Sequence, residues 1–155
     1  MFKYTTCCFT GHRIIRTCDK EVLIKNLNKN IIELISKGVS TFITGGALGF
    51  DTIAAETLFE IRENKFPHIR VILALPCKNQ DELWQEKDKE RYRKILAKAD
   101  DIIYLSESYS PYCMHKRNRF MVDSSRYCIF YLYNERSGTY KTVKYALEKN
   151  LNIIN

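Results

Sequence analysis

The sequence predicts an α/β fold, a Rossmann-like three-layer αβα sandwich with a mainly parallel sheet. The first observation is that β-rich runs alternate along the chain with segments whose apolar residues recur at helical spacing. The second is that residues 71–75 and 127–133 are almost continuously apolar, as in strands buried on both faces. Such an alternation favours parallel βαβ units with right-handed crossovers and helices on both sides of the sheet.

Each predicted element follows from a local pattern. The first strand, residues 4–9, is closed by the turn-prone sequence TGHR. The first helix extends from Asp19, a capping residue, to Lys37, and Gly38 ends it. The other predicted strands cover residues 39–44, 69–76, 101–106, 127–133 and 151–155; the other helices cover 52–63, 88–98, 115–125 and 139–149, and 78–87 form a polar connection.

Length and composition favour one domain over residues 1–155, without linker or repeat. The net charge of +7 favours an anionic partner, with a solvated basic surface as the alternative. The six cysteines show neither C-x-x-C pairs nor zinc-like spacing, so we expect no metal site and no bound cofactor. We find no signal peptide or membrane-spanning run and expect a cytoplasmic protein with reduced thiols and no membrane contact.

The segment FITGGALGFDTIAAE, residues 42–56, is the strongest candidate for a binding loop. Gly45 and Gly46 permit positive φ angles and close approach of the backbone to a ligand. Gly49 lies where the chain enters a helix, whose N-terminus attracts phosphate. The loop lacks the Gly-Lys-Ser/Thr ending of a Walker A motif and the pattern of a dinucleotide fingerprint. We expect a phosphate-bearing ligand, or else a tight turn capped by Asp51.

Two other loops should open onto the same crevice, because ligands of open α/β sheets bind at the carboxyl ends of strands. After the first strand, Arg13 suits bidentate phosphate binding, and His12 either donates to an anion or only fixes the turn. Trp84 and Tyr92 could stack a base, although core packing is the commoner role of such aromatics. The remaining candidates in these loops are Gly11, Gly138, Thr139 and Thr142, the last three at a helix N-terminus suited to phosphate or ribose.

Six segments resemble, in the same order, the YpsA/YoqJ-like family of Firmicutes and their phages, within the SLOG superfamily of DprA (Smf) and the Lonely Guy phosphoribohydrolases. They are CCFTGHR, FITGGALGFDTIAAE, LPCKNQDELW, YRKILAKADDIIYLSE, HKRNRFMVDSS and SGTYKTVKYA, and the resemblance covers nearly the entire chain. The resemblance implies a Rossmann-like fold with a nucleotide pocket over the glycine loop, in which Asp51 contacts the ligand. It also implies that Asn118 and Arg119 point towards the ligand while Lys116 and Arg117 are solvated.

The Lonely Guy signature P-G-G-x-G-T-x-x-E contains a glutamate that supplies carboxylate chemistry, and Thr142 stands at the matching position. A hydroxyl cannot supply that negative charge, so the sequence favours ligand binding over catalysis. We therefore expect a regulatory module for a phosphate- and ribose-containing, nucleotide-derived ligand of the ADP-ribose or NAD-related type. The alternatives are an N-glycosidase that uses Asp51 or Asp123, and single-stranded DNA binding through HKRNR. A protein partner and homo-oligomerisation stay open.

Overall fold

A six-stranded sheet organises the computed structural model, which describes residues 2–155. Its strands are β1 (Thr6–Gly11), β2 (Thr41–Thr44), β3 (Arg70–Leu75), β4 (Asp101–Tyr104), β5 (Tyr127–Tyr131) and β6 (Asn152–Ile154). The helices are α1 (Lys20–Ser36), α2 (Phe50–Asn64), α3 (Glu86–Lys98), α4 (Cys113–Asp123) and α5 (Gly138–Glu148). The strand order is β4-β3-β2-β1-β5-β6, and every pairing is parallel.

Helices cover both faces of this sheet because the chain reverses its direction of travel after β4. From β1 to β4 the strands are added in one direction, and right-handed crossovers place α1, α2 and α3 on one face. That side holds the larger core, which includes the rings of Phe9, Phe42 and Phe50. The return to β5 places α4 and α5 on the other face, where Met121 and Ala146 pack in a smaller core. The predicted Rossmann-like three-layer sandwich is thus confirmed.

The boundaries differ from the prediction mainly at the first strand. Residues Lys3–Thr5 form a 3₁₀ turn, and β1 continues to Gly11 because Thr10 and Gly11 pair with Phe130 and Tyr131 of β5. The turn-prone sequence TGHR therefore lies partly inside the strand. Helix α1 begins after Asp19, whose side chain makes no capping hydrogen bond but accepts from Arg16 and from the hydroxyl of Tyr131.

Helix α4 begins two residues before the predicted start, and helix α3 also begins two residues earlier. Strand β4 ends at Tyr104, so residues 105–106 of the predicted strand lie outside the observed one. Gly38 follows α1 with a φ of 98°, the left-handed conformation expected of a glycine that ends a helix. Within residues 2–155, no helix combines the length and apolar character needed to cross a bilayer.

Candidate functional site

A cleft of about 270 Å³ lies at the carboxyl end of β1. Strand β1 stands between β2 and β5, and the connections from β1 and β5 leave towards opposite faces of the sheet. Ligands of open α/β sheets bind at such a switch point. The cleft is lined by Phe9, Thr10 and Gly11 at the end of β1, His12 and Arg13 just after it, Ala47 and Asp51 around the start of α2, Met114, Arg117, Asn118 and Met121 of α4, and Ser137, Gly138 and Thr139 at the start of α5.

The glycines of the β2–α2 loop are required by packing within the protein. A Cβ atom on Gly45 would overlap the guanidinium of Arg117, and one on Gly49 would overlap the backbone of Arg13. Gly46 has a φ of 68° and faces Leu75, away from the cleft. None of these three glycines lines the cleft, so their lack of a side chain is needed for packing of the loop and not for space in the cleft. The residues of this loop segment that line the cleft are Ala47 and Asp51.

Gly11 and Gly138 differ in what surrounds them, although both line the cleft. A Cβ atom on Gly11 would overlap the ring of Phe50, so Gly11 is also a packing glycine. Around Gly138 no atom lies within 4 Å of the Cβ position, which leaves the N-terminus of α5 open. Ser137 caps this helix by accepting the N–H of Tyr140 at 3.2 Å. The positive end of the α5 dipole therefore faces the cleft at Gly138 and Thr139.

Arg117 is buried at the floor of the cleft, with 5% of its surface exposed. Its Nη1 donates to the carbonyl oxygen of Gly45, its Nε donates to Asn118 Oδ1 at 2.7 Å, and its Nη2 lies 3.6 Å from Met114 Sδ. The expectation that Arg117 is solvated is therefore wrong. Because α4 begins at Cys113, residues 113, 117 and 121 share the inward face of the helix at four-residue spacing.

Arg119 lies outside the cleft, contrary to the expectation that it points towards the ligand. Its guanidinium stacks 4.4 Å over the ring of Tyr145, and its Nε donates to His115 Nε2 at 2.8 Å. The same helix geometry explains this position, since two residues on from Arg117 the helix turns by about 200°. Asn118, by contrast, does line the cleft, as expected. The arginine of α4 that lines the cleft is thus Arg117 and not Arg119.

Asp51 places a buried carboxyl group in the cleft, with 6% of its surface exposed. Its Oδ2 accepts the N–H of Ala47 at 3.2 Å. Loss of hydration raises the pKa of Asp51 from 3.8 to about 6, although the charges of Arg117 and Arg13 and the Ala47 hydrogen bond oppose the rise. Gly49 is the N-cap residue of α2, and Asp51 lies inside the first turn, so the capping alternative is not what the structure shows.

His12 fixes the loop that follows β5. Its Nε2 accepts the N–H groups of Tyr133 at 2.9 Å and Asn134 at 3.3 Å, which requires a neutral ring with its proton on Nδ1. Burial lowers the pKa of His12, and the nearby charge of Arg16 lowers it further. Of the two roles considered for this histidine, turn fixation is the one its contacts show. Its backbone carbonyl also accepts the N–H of Phe50, at the start of α2, at 3.1 Å.

Arg13 and Thr142 have opposite environments. Arg13 is exposed on the rim of the cleft, where its Nη2 lies 3.9 Å from Met114 Sδ. Thr142 is buried on the inner face of α5, and its hydroxyl donates to the carbonyl oxygen of Gly138 at 2.9 Å. Thr142 does not line the cleft, so its predicted role as a ligand contact is not supported. The carboxylate of Asp123 also lies elsewhere, accepting the hydroxyl of Tyr145 at 2.7 Å.

Of the two aromatic residues considered for base stacking, one is buried in the core and the other is partly exposed. Tyr92 is a core residue with 5% exposure, and its hydroxyl accepts from Gln80 Nε2 at 2.9 Å. Trp84 packs edge-on against Tyr92, with 5.0 Å between ring centroids, but stays partly exposed beside the cleft. The cleft therefore combines one buried and one exposed arginine, a buried carboxyl group and an open helix N-terminus. These groups can bind an anion and accept hydrogen bonds from hydroxyl groups.

Comparisons with known proteins agree with this architecture. The YpsA family model, described as the YspA SLOG family, matches residues 8–153. The SPbeta prophage-derived protein YoqJ of Bacillus subtilis (strain 168) is 38% identical over 129 residues, and the match covers 75% of this chain and 75% of YoqJ. The DNA processing protein A (DprA) of Streptococcus pneumoniae superposes with a TM-score of 0.69 at 18% identity, over 98% of this chain and 49% of DprA.

DprA of Helicobacter pylori, whose structure is described for its single-stranded DNA binding mode, also superposes with a TM-score of 0.69. The identity is 22%, and the match covers 96% of this chain and 63% of that protein. The chain thus spans about half to two thirds of the DprA proteins, and these likenesses show a shared fold. Because the family model covers almost the whole sequence, the chain belongs to the YpsA family of SLOG domains.

Proposed function

We propose that this domain binds a nucleotide-derived ligand that carries phosphate and ribose, and that it acts as a regulatory binding module. Arg117 is the observation that carries the proposal. Its guanidinium has more N–H groups than its contacts with Gly45, Asn118 and Met114 use. A buried cation with N–H groups to spare is costly, and a bound phosphate would offset that cost.

The α5 N-terminus supplies a second group for the same anion. Gly138 and Thr139 line the cleft together with Arg117, and the space at Gly138 is unfilled. Backbone N–H groups at such a terminus bind phosphate oxygens directly. Arg13 on the rim adds a positive charge on an exposed side chain. This arrangement supports phosphate binding between α4 and α5.

Asp51 supports the ribose part of the proposal. Its carboxylate is the one that lines the cleft, and Ala47 is its one hydrogen-bond partner among the described residues. A carboxylate offers several acceptor positions, so others are available for ribose hydroxyl groups. ADP-ribose, NAD and adenosine monophosphate each combine phosphate and ribose and are the first compounds to test.

The experiment is calorimetric titration of the purified protein with these three compounds, repeated with Gly138→Leu. Because Gly138 has open space around its Cβ position and no positive φ, the leucine should fit the fold while covering the α5 N-terminus. We expect at least a tenfold loss of affinity, an order of magnitude consistent with loss of a charge-assisted contact. Lys144→Leu, on the exposed side of the same helix, is the matched control.

Absence of binding at millimolar ligand would refute the proposal, as would unchanged affinity in Gly138→Leu. A substitution at Gly49 is not an informative alternative, because its side chain would overlap the backbone of Arg13 at a φ of 77°. Such a variant would lose affinity through misfolding alone.

A second candidate function is hydrolysis of the N-glycosidic bond of the same ligand, favoured by the unusual carboxyl group of Asp51. A pKa of about 6 lets one carboxyl group act as acid or base near neutral pH. Incubation with a panel of nucleotides followed by chromatography tests this function. Release of a free base that disappears in Asp51→Asn would support it, and intact nucleotides after long incubation would exclude it for that panel.

Single-stranded DNA binding is the third candidate, favoured by the charge distribution. Residues 112–155 contain eight Lys and Arg against three Asp and Glu, and much of this charge lies on the exposed sides of α4 and α5. The H. pylori DprA neighbour is described as a single-stranded DNA binder. If this chain shares that property, affinity for an oligonucleotide should fall steeply with salt and in Lys141→Glu. A salt-independent signal would contradict it.

A further inference from the structure

A second groove, of about 570 Å³, runs beside the cleft and shares two of its walls. Arg13 and Met114 line both spaces. The groove is closed on its other sides by the loop between β3 and α3, including Gln80, Leu83 and Trp84, and by Tyr109 in the loop before α4. The two spaces are therefore neighbours, with Arg13 and Met114 at their junction. We call the second space the side groove.

Four of the eight residues that line the side groove are large apolar or aromatic side chains, and two of these four are largely exposed to solvent. The other four are Arg13, Asn79, Gln80 and Glu82. Leu83 is 95% exposed and Tyr109 is 65% exposed, although both are large apolar side chains. Trp84 is partly exposed and packs edge-on against Tyr92, at 5.0 Å between ring centroids. Covering apolar surface of this kind with a flat partner lowers the free energy.

The size of the cleft shows why a ligand would extend into the side groove. Small-molecule sites usually enclose about 300 to 1,000 Å³, and the cleft alone falls below that range at about 270 Å³. It therefore suits the phosphate and ribose of a nucleotide better than the whole molecule. The side groove contains Glu82 as well as apolar side chains, which disfavours a second phosphate there.

We propose that the side groove is the nucleobase subsite of the ligand, in which the base stacks against Trp84 and Tyr109 and covers Leu83. This inference rests on the proposed function, because the phosphate in the cleft determines where the base lies. Arg13, at the junction, would contact the ligand between its base and its phosphate. A sequence-tolerant stacking surface accepts any base, because every base has a π face.

Trp84 is the single tryptophan of the chain, so its fluorescence reports directly on the side groove. Adenosine monophosphate and ribose 5-phosphate form a matched pair of probes that differ by the base. We expect calorimetry to show that both bind and that adenosine monophosphate binds about tenfold more tightly, as stacking of one base provides. We expect adenosine monophosphate alone to quench the Trp84 emission.

Two variants test the walls without disturbing the core. Leu83→Ser and Tyr109→Ser should each bring the affinity for adenosine monophosphate towards that for ribose 5-phosphate and leave the latter unchanged. Leu147→Ser is the control, because Leu147 is also exposed but lies near the end of α5 and lines neither space.

The outcomes separate the two proposals. If neither probe binds, the proposed function fails and the subsite fails with it. If both probes bind equally and the Trp84 emission stays constant, the subsite is refuted while the cleft remains a phosphate and ribose site. Quenching that persists with full affinity in both Leu83→Ser and Tyr109→Ser would also refute the subsite, since it would arise away from these walls.

Discussion

Replacement of Asp51 by asparagine should stabilise the protein at neutral pH and lower its affinity for ribose-containing ligands. Asp51 is buried, and loss of hydration raises its pKa from 3.8 to about 6. The unfolded chain therefore ionises at lower pH than the folded protein. As pH rises through this interval the folded state is destabilised relative to the unfolded state, because it binds the proton more tightly. Asparagine cannot ionise and removes this effect.

The magnitude follows from the difference between the two pKa values. One pKa unit is worth about 1.4 kcal/mol, so a rise from 3.8 to about 6 corresponds to about 3 kcal/mol above pH 6. The charge of Arg117 is already included, since it acts against the rise. We expect Asp51→Asn to be more stable than the original protein by up to about 3 kcal/mol at pH 8, with a melting temperature higher by roughly 6 to 12 °C.

The assay is urea unfolding of both proteins at half-unit steps between pH 3.5 and pH 8. The difference in unfolding free energy should be near zero at pH 3.5, grow between pH 4 and pH 6, and then stay constant. Asp123→Asn is the control, because that carboxylate is exposed outside the cleft. A variant that is less stable than the original at pH 8, or a difference independent of pH, would refute the reasoning. Calorimetry on the same variant should show weaker binding of ribose-containing ligands.

Three further predictions concern the loop, the histidine and the two arginines. Gly49→Ala should lower the unfolding free energy by more than about 2 kcal/mol, because its Cβ would overlap the backbone of Arg13. Gly38→Ala is the control and should cost about 1 kcal/mol, because Gly38 has a similar φ but open space around its Cβ position. Equal losses in urea unfolding would contradict this reason. His12→Gln should lower the unfolding free energy most at pH 8. Because burial lowers the pKa of His12, the stability that its neutral ring contributes is lost as pH falls below 6.5, so the difference between the two proteins should shrink in acid. A difference in unfolding free energy that does not change with pH would contradict a neutral His12 ring. Arg13→Gln should weaken ligand binding several-fold in calorimetry while Arg119→Gln leaves it unchanged, since Arg13 lines the cleft and Arg119 does not. The reverse order would show that the ligand lies elsewhere.

The sequence by itself determined the fold class, the order of the elements and the loops that meet at the switch point. These follow from local periodicity and from the general rules for parallel sheets, neither of which needs a partner residue to be known. The end of β1 was placed too early, because the strand is extended by pairing with β5, which is far away in the sequence. Local patterns contain no information about that register.

Only the tertiary structure decided which side chains enter the cleft. Arg117 is buried because its guanidinium meets the carbonyl oxygen of Gly45, 72 residues earlier, and the i, i+4 spacing with Cys113 and Met121 was the one local signal. Gly45 and Gly49 likewise owe their identity to neighbours on other elements, whereas Gly138 does not. A sequence shows where arginines and glycines stand. Whether such a residue is needed for packing or is open to a ligand depends on its burial and on its neighbours in the folded protein.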